Sequence, residues 1–144
     1  MALRPSGPVL VVESDRLLGE EISEQLLADG FAVELARTAE HARVLARTSA
    51  PAIVVLGGLD APRGELSLLR EIRQTHAFAP RHLVGERGER GCMWDRGLPA
   101  IVVSPGAREL DMLRAFEAGA DDVLARPVRY LELRARLNAI LRRT

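Results

Sequence analysis

Gly119-Ala-Asp-Asp-Val-Leu-Ala-Arg-Pro-Val128 carries the plainest sign of the chain's architecture. It holds a short apolar run, Asp122-Val-Leu124, between two amphipathic segments at about 107–118 and 129–143. Toward the start of the chain the same unit recurs. Val9-Leu-Val-Val12, the partly alternating Phe31 to Leu35, Ile53-Val-Val-Leu56 and Ala100-Ile-Val-Val103 read as strands, mostly continuous apolar runs of the kind a parallel sheet buries. Helical periodicity fills the gaps. Asp15 caps a first helix whose Leu18, Ile22 and Leu26 recur every fourth residue, and Gly30 stops it. Thr38 opens a second helix reaching about Thr48, with Ala42 and Leu45 inward. A third, near Glu65 to Thr75, offers Leu68, Leu69 and Ile72. Strict alternation of strand and helix implies a parallel sheet covered by helices on both faces. Periodicity alone leaves the strand order open.

Bulk properties narrow the function. At 144 residues the chain is one domain, large enough to bury a single core. No apolar run approaches the roughly 20 residues a membrane span needs, and no signal-peptide pattern opens the chain, so a cytoplasmic location is expected. Cys92 is the only cysteine, which excludes an internal disulfide and a thiolate zinc cluster. A net charge of zero gives no general attraction to DNA. All 20 basic residues are arginine, so every mechanism that needs a lysine is excluded.

With the early Val9-Leu-Val-Val-Glu13 run and the Arg-rich last helix, the Gly119–Val128 stretch resembles the receiver domain of a two-component response regulator. The resemblance covers residues 8–143 apart from an insert at 81–98. It implies a flavodoxin-like (CheY-like) (βα)5 three-layer sandwich with strand order 2-1-3-4-5 and ligands at the carboxyl ends of strands 1 and 3. A working receiver holds Mg²⁺ there, between acidic residues after strand 1 and a phosphate-accepting aspartate ending strand 3; Mg²⁺ needs hard oxygen ligands. By the resemblance Glu13 keeps the first acidic position, Ser14 replaces the second, and Gly57 stands where the acceptor aspartate would be. Neither metal nor cofactor is expected. Asp60, three residues further on, is read as a solvated turn residue rather than a substitute acceptor.

The phosphate-sensing positions are altered as well. Ser104 keeps the hydroxyl that ends strand 4, Val123 replaces the aromatic of strand 5, and Arg126 replaces the family's lysine. Arginine keeps the charge but presents a larger planar fork. Arg126-Pro127 stands where the family has a cis X-Pro bond. Four of the six switch positions, Ser14, Gly57, Val123 and Arg126, depart from the pattern. The expected function follows: a pseudo-receiver independent of phosphorylation, with Arg126 as a candidate partner for Glu13 across the empty cleft. It is not expected to be an enzyme, since no nucleophile–base pair appears.

The last helix carries a core stripe, Leu133, Leu137 and Ile140, and a second row, Glu132, Arg136, Ala139 and Arg143. That row resembles the dimer face of the winged-helix (OmpR/PhoB) branch, where helix 4, strand 5 and helix 5 of two copies meet. The resemblance implies bridges from Asp121 to the partner's Arg136 and from Asp122 to the partner's Arg143. Glu132 would face Met112, where the family has a basic residue. Met112, Leu131 or Ala139 would supply apolar contact. The plainer alternative is arginines complementing a helix C-terminus. On the family pattern a winged-helix DNA-binding domain would follow, outside this stretch, and DNA would be contacted only there.

The insert contains four glycines, four arginines and the only tryptophan. Trp94 reads as a local anchor on the domain surface; His82, Cys92 and Asp95 lack the spacing of a metal site. Two rival functions stay open: a small-molecule sensor, with its ligand in the vacated cleft or under the insert, and a stand-alone protein-interaction module.

Overall fold

A strand buried on both faces must be apolar at every position. Of the five strands, β1 (Val9–Val12), β3 (Ile53–Leu56) and β4 (Ala100–Ser104) are buried throughout, and only Ser104 among their residues is polar. The computed structural model, which describes residues 5–60, 63–75 and 94–143, places β2 (Val33–Ala36) at one edge and β5 (Asp122–Ala125) at the other. All pairings are parallel, in the order β2-β1-β3-β4-β5. This is the CheY-like order that the resemblance implies. The helices are α1 (Arg16–Ala28), α2 (Ala39–Ser49), α3 (Gly64–Gln74), α4 (Glu109–Ala118) and α5 (Tyr130–Leu141).

The two-residue period of the strands divides the core into two layers. Leu10, Val12, Val54, Leu56 and Val102 turn to the side packed by Leu66, Leu69, Ile72 and Ala115 of α3 and α4. Val9, Val11, Ile53, Val55 and Ile101 turn to the side packed by Ile22 and Leu26 of α1 and by Leu133 and Leu137 of α5. Each of the larger side chains stabilises the fold by about 1.5–3 kcal/mol through its burial. Local chemistry sets the helix starts. Asp15 Oδ1 accepts from the Leu18 amide (3.2 Å) and Thr38 Oγ1 from the His41 amide (3.0 Å), satisfying amides that have no partner inside the helix.

Some boundaries differ from the sequence reading. Strand β2 starts at Val33, because Gly30 at φ 92° reverses the chain and the Phe31 amide bonds back to the Leu26 carbonyl. Phe31 is buried beneath that turn. Helix α4 starts at Glu109, after a Pro105-Gly106 turn that Ser104 holds. Trp94 is a correction: it is an anchor, but an interior one. The residue is 4% exposed, and its indole Nε1 donates to Glu71 Oε2 (2.9 Å), itself paired with Arg43. Insert residues 81–93 lie outside the described residues, and with them the readings of His82 and Cys92.

The α1–α5 seam is closed by charge. The Tyr130 hydroxyl donates to Asp29 Oδ2 (2.5 Å), and Arg134 reaches the same oxygen (3.1 Å). The Tyr130 bond, helped by Arg134, holds the Asp29 carboxyl below its ordinary 3.8. Burial, together with the bond to Asp29, pushes the Tyr130 phenol above its ordinary 10.0. Folding therefore favours ionised Asp29 and neutral Tyr130. The Asp29 contribution is present above pH 3.8 and is lost as pH falls through its lower folded value; that of Tyr130 is present below pH 10 and lost above it. Urea midpoints of the wild type should drop in both windows. Asp29→Asn should flatten the acid limb and reduce the alkaline one, where burial of Tyr130 remains, and an unchanged profile would show that the seam does not titrate as described.

Candidate functional site

Glu13 and Gly57 directly follow adjacent strands, β1 and β3, whose last residues are paired, so parallel register sets them side by side. The Gly57 amide donates to the Val12 carbonyl (2.7 Å), and Gly58 accepts at its carbonyl from the Ser14 amide (2.9 Å) and Ser14 Oγ (2.8 Å). Into the space beside Gly57 folds the Glu13 side chain, 3% exposed. Its Oε1 receives an Arg126 guanidinium N–H at 2.5 Å, and its Oε2 receives the Asp15 amide at 3.1 Å. A methyl group on Gly57 would overlap Glu13 Oε1 and stand 2.8 Å from its Cδ. Glycine at 57 is thus what lets the carboxylate fold inward. Gly58 is similarly close to Arg126, whose terminal nitrogen would lie 3.1 Å from an added Cβ.

Arg126 reaches this cleft from the end of β5, its amide bonded to the Ser104 carbonyl (3.1 Å) ahead of a cis Arg126-Pro127 bond. The pair joins residues 113 apart in sequence and is largely withdrawn from water, Arg126 being 29% exposed. Ser104 is buried, and its hydroxyl donates to the Gly106 carbonyl (2.7 Å) within its own turn. Val123 is buried in the α3–α4 core layer and offers no ring or polar atom to the cleft.

These groups do not fit a divalent cation. Mg²⁺ asks for several hard oxygens. The one carboxylate present is taken by a guanidinium, Ser14 Oγ is turned to Gly58, and Gly57 has no side chain. Among the described residues no three His, Cys, Asp or Glu side chains are grouped to hold a metal. Asp60 is exposed and lines a cavity between α2 and α3.

The second surface is formed by α4, β5 and α5. Arg136 spans Asp122 (2.8 and 3.1 Å) and Glu132 (3.2 Å) of its own chain, and these bonds, Asp122 first, raise its pKa further. Asp121 accepts from Arg73 (3.0 Å) and from the Ala100 amide (2.8 Å). A cross-dimer bridge from Asp121 to the partner's Arg136 would therefore compete with partners inside each chain. Met112 is half-buried and packs against the α3–α4 core layer, while Arg143 and Glu132 are exposed. Helix α4 turns three other apolar side chains outward: Leu110, Leu113 and Phe116, each about half exposed (49%, 50% and 48%), with Leu131 of α5 at 67%.

No family model matches the chain. The KDP operon transcriptional regulatory protein KdpE of Escherichia coli (strain K12) is 32% identical over 136 residues, covering 94% of this chain and 51% of that protein. The response regulator MprA of Mycolicibacterium vanbaalenii is 31% identical over the same shares. The chain spans about half the length of the curated relatives it matches. Among solved structures, the Francisella response regulator 1452 receiver domain superposes with a TM-score of 0.75 at 21% identity, covering 96% of this chain and 98% of that one. An orphan response regulator of H. pylori gives 0.71 at 26%, covering 96% and 99%. The chain is a response-regulator receiver domain. It is homologous to the N-terminal half of OmpR-family regulators.

In this receiver domain the sequence-derived cleft residues Glu13, Ser14, Gly57, Ser104 and Arg126 do lie together at the carboxyl ends of β1, β3, β4 and β5. Val123 lies below them in the core. Arg73 was missed. Its guanidinium donates to the carbonyls of Gly119 (2.9 Å), Arg96 (3.0 Å) and Leu98 (2.5 Å) and to Asp121, tying the α4 C-terminus to the chain entering β4. Gly119, at φ 112°, leaves room for it: an added Cβ would stand 2.7 Å from Arg73 Cγ. No signal in one sequence marks such a hub.

Proposed function

We propose that this receiver domain works without phosphate, as the regulatory and dimerising module of a DNA-binding transcriptional regulator of the cytoplasm. The observation that carries this reading is the Glu13–Arg126 pair seated beside Gly57, where a phosphorylatable receiver needs a free carboxylate and room for a metal. A protein cation and anion take the places of phosphate and metal and hold a single arrangement of the β1, β3 and β5 ends. Its relatives in the OmpR family include a protein named for transcriptional regulation, which supports the regulatory role. DNA contact is assigned to a domain outside these 144 residues.

Two copies would meet through α4, β5 and α5. The apolar contact falls to Leu110, Leu113 and Phe116 with Leu131, because they are exposed and Met112 is largely spoken for. Asp121, Asp122, Glu132, Arg136 and Arg143 form the charged surround. Exposed ion pairs contribute only about 0–1 kcal/mol each, so the charges set register and the apolar stripe supplies most of the affinity. Sedimentation equilibrium tests this. The wild type should dimerise without any phosphodonor, and Arg136→Glu, which puts like charges beside Asp122 and Glu132, should weaken the dimer. Leu113→Ser, which leaves every Arg136 bond in place, should weaken the dimer by at least about tenfold. A wild-type monomer across the micromolar range, or a dimer indifferent to both variants, would remove this interface.

A further inference from the structure

The cavity between α2 and α3 has no part in the switch or the dimer face. It measures about 370 Å³ and is lined by Ala39, Leu59 and Leu68 with Thr38, Ser67 and four charged side chains. That volume lies within the range of small-molecule sites. Three of its charged side chains are paired: Arg37 with Glu20 (3.2 Å), and Arg43 with Glu71 through bonds of 2.8–3.1 Å. The fourth, Asp60, makes no hydrogen bond or ion pair among the described residues. Glu71 neutralises Arg43, and Glu20 is shared between Arg37 and Arg16 (3.1 Å), so Asp60 is the charged side chain of the lining left without a protein partner among the described residues, beside an apolar wall.

We propose that this cavity is a binding site for a small organic cation, a protonated amine carrying an apolar body. The ammonium would sit against Asp60, with Ser67 as a second acceptor, and the apolar part against Ala39, Leu59 and Leu68. An anion would have to compete with Glu20 and Glu71 for guanidinium groups already bonded to them, whereas an ammonium meets Asp60 unopposed. Charge-assisted hydrogen bonds are about twice as strong as neutral ones, so Asp60 would discriminate strongly between an amine and its alcohol analogue. The site is placed to be read elsewhere. Asp60 is two residues from Gly58, whose carbonyl holds Ser14 beside the Glu13–Arg126 pair. Glu71, on the cavity wall, accepts from the indole of the only tryptophan.

That indole supplies the readout, and the proposal stands apart from dimerisation. Phenethylammonium chloride, 2-phenylethanol and 3-phenylpropanoate would be titrated into the 144-residue chain at fixed ionic strength. Trp94 emission and amide ¹H–¹⁵N shifts would be followed. The amine should bind saturably, with shifts at 37–39, 59–60 and 64–71. Asp60→Asn should weaken it by about fivefold or more, and the alcohol should bind worse by a similar factor. Preserved emission and amide spectra in Asp60→Asn alone would show that the variant is folded. No saturable response to the amine up to about 10 mM, equal affinity for amine and alcohol, or tighter binding of the carboxylate would overturn the proposal.

Discussion

Replacing Arg126 with methionine should lower the unfolding free energy by about 2–4 kcal/mol, because it strands a buried carboxylate without its cation. Glu13 is 3% exposed at its side chain and keeps only the Asp15 amide, at 3.1 Å, once Arg126 is gone. The expected loss is set below the fully buried case because Arg126 is 29% exposed and water partly screens it. Glu13→Gln in the same background should recover much of the loss, since a neutral amide costs less to bury than an unpaired charge. The pair of single variants and the double variant form a thermodynamic cycle read by urea denaturation. A change below about 0.5 kcal/mol in Arg126→Met would show that the two side chains do not hold each other.

Restoring an aspartate at the acceptor position should damage the protein rather than revive it. In Gly57→Asp the new Cβ overlaps Glu13 Oε1, lies 2.8 Å from Glu13 Cδ and 3.2 Å from the Val12 carbonyl. A second carboxylate also enters a site that holds one cation. Overpacking of this kind costs about 1–3 kcal/mol before the like-charge repulsion is added. Adding Glu13→Ala clears the overlap and lets the introduced carboxylate take Arg126, so the double variant should regain stability over Gly57→Asp alone. Thermal denaturation of the three proteins decides this. If Gly57→Asp alone were as stable as the wild type, Glu13 would not be filling that space.

The strands and the first cleft residues were legible because both signals are local. Ile53–Leu56 is apolar throughout and flanked by turns, so its ends were read to the residue; α3 was displaced by one. The Glu13–Arg126 pairing was one candidate among the readings of Arg126, because the resemblance puts opposite charges at two strand ends; the structure has the pair at 2.5 Å. What stayed hidden depends on which way a helix is rotated over the sheet. The resemblance put Met112 on the dimer face; in the structure α4 lies with Ala115 and Ala118 inward and Met112 half-buried beside them, while Leu110, Leu113 and Phe116 are outside. A short helix with apolar residues on every side carries no clear stripe, so its orientation is set by packing. Trp94 was misplaced because polar, glycine-rich neighbours suggest a surface, whereas Glu71, half-buried and paired with Arg43, accepts from its indole. The α2–α3 cavity had no sequence signature at all, since its lining comes from three separate segments.

The proposed role of this receiver domain depends on assembly without phosphate. The most direct measurement is sedimentation equilibrium of the wild-type chain with and without Mg²⁺ and acetyl phosphate, with intact mass recorded on the same samples. The predicted result is one dimerisation constant in both conditions and no mass gain of a phosphoryl group. A chain that gains that mass and dimerises only when it does would contradict the account.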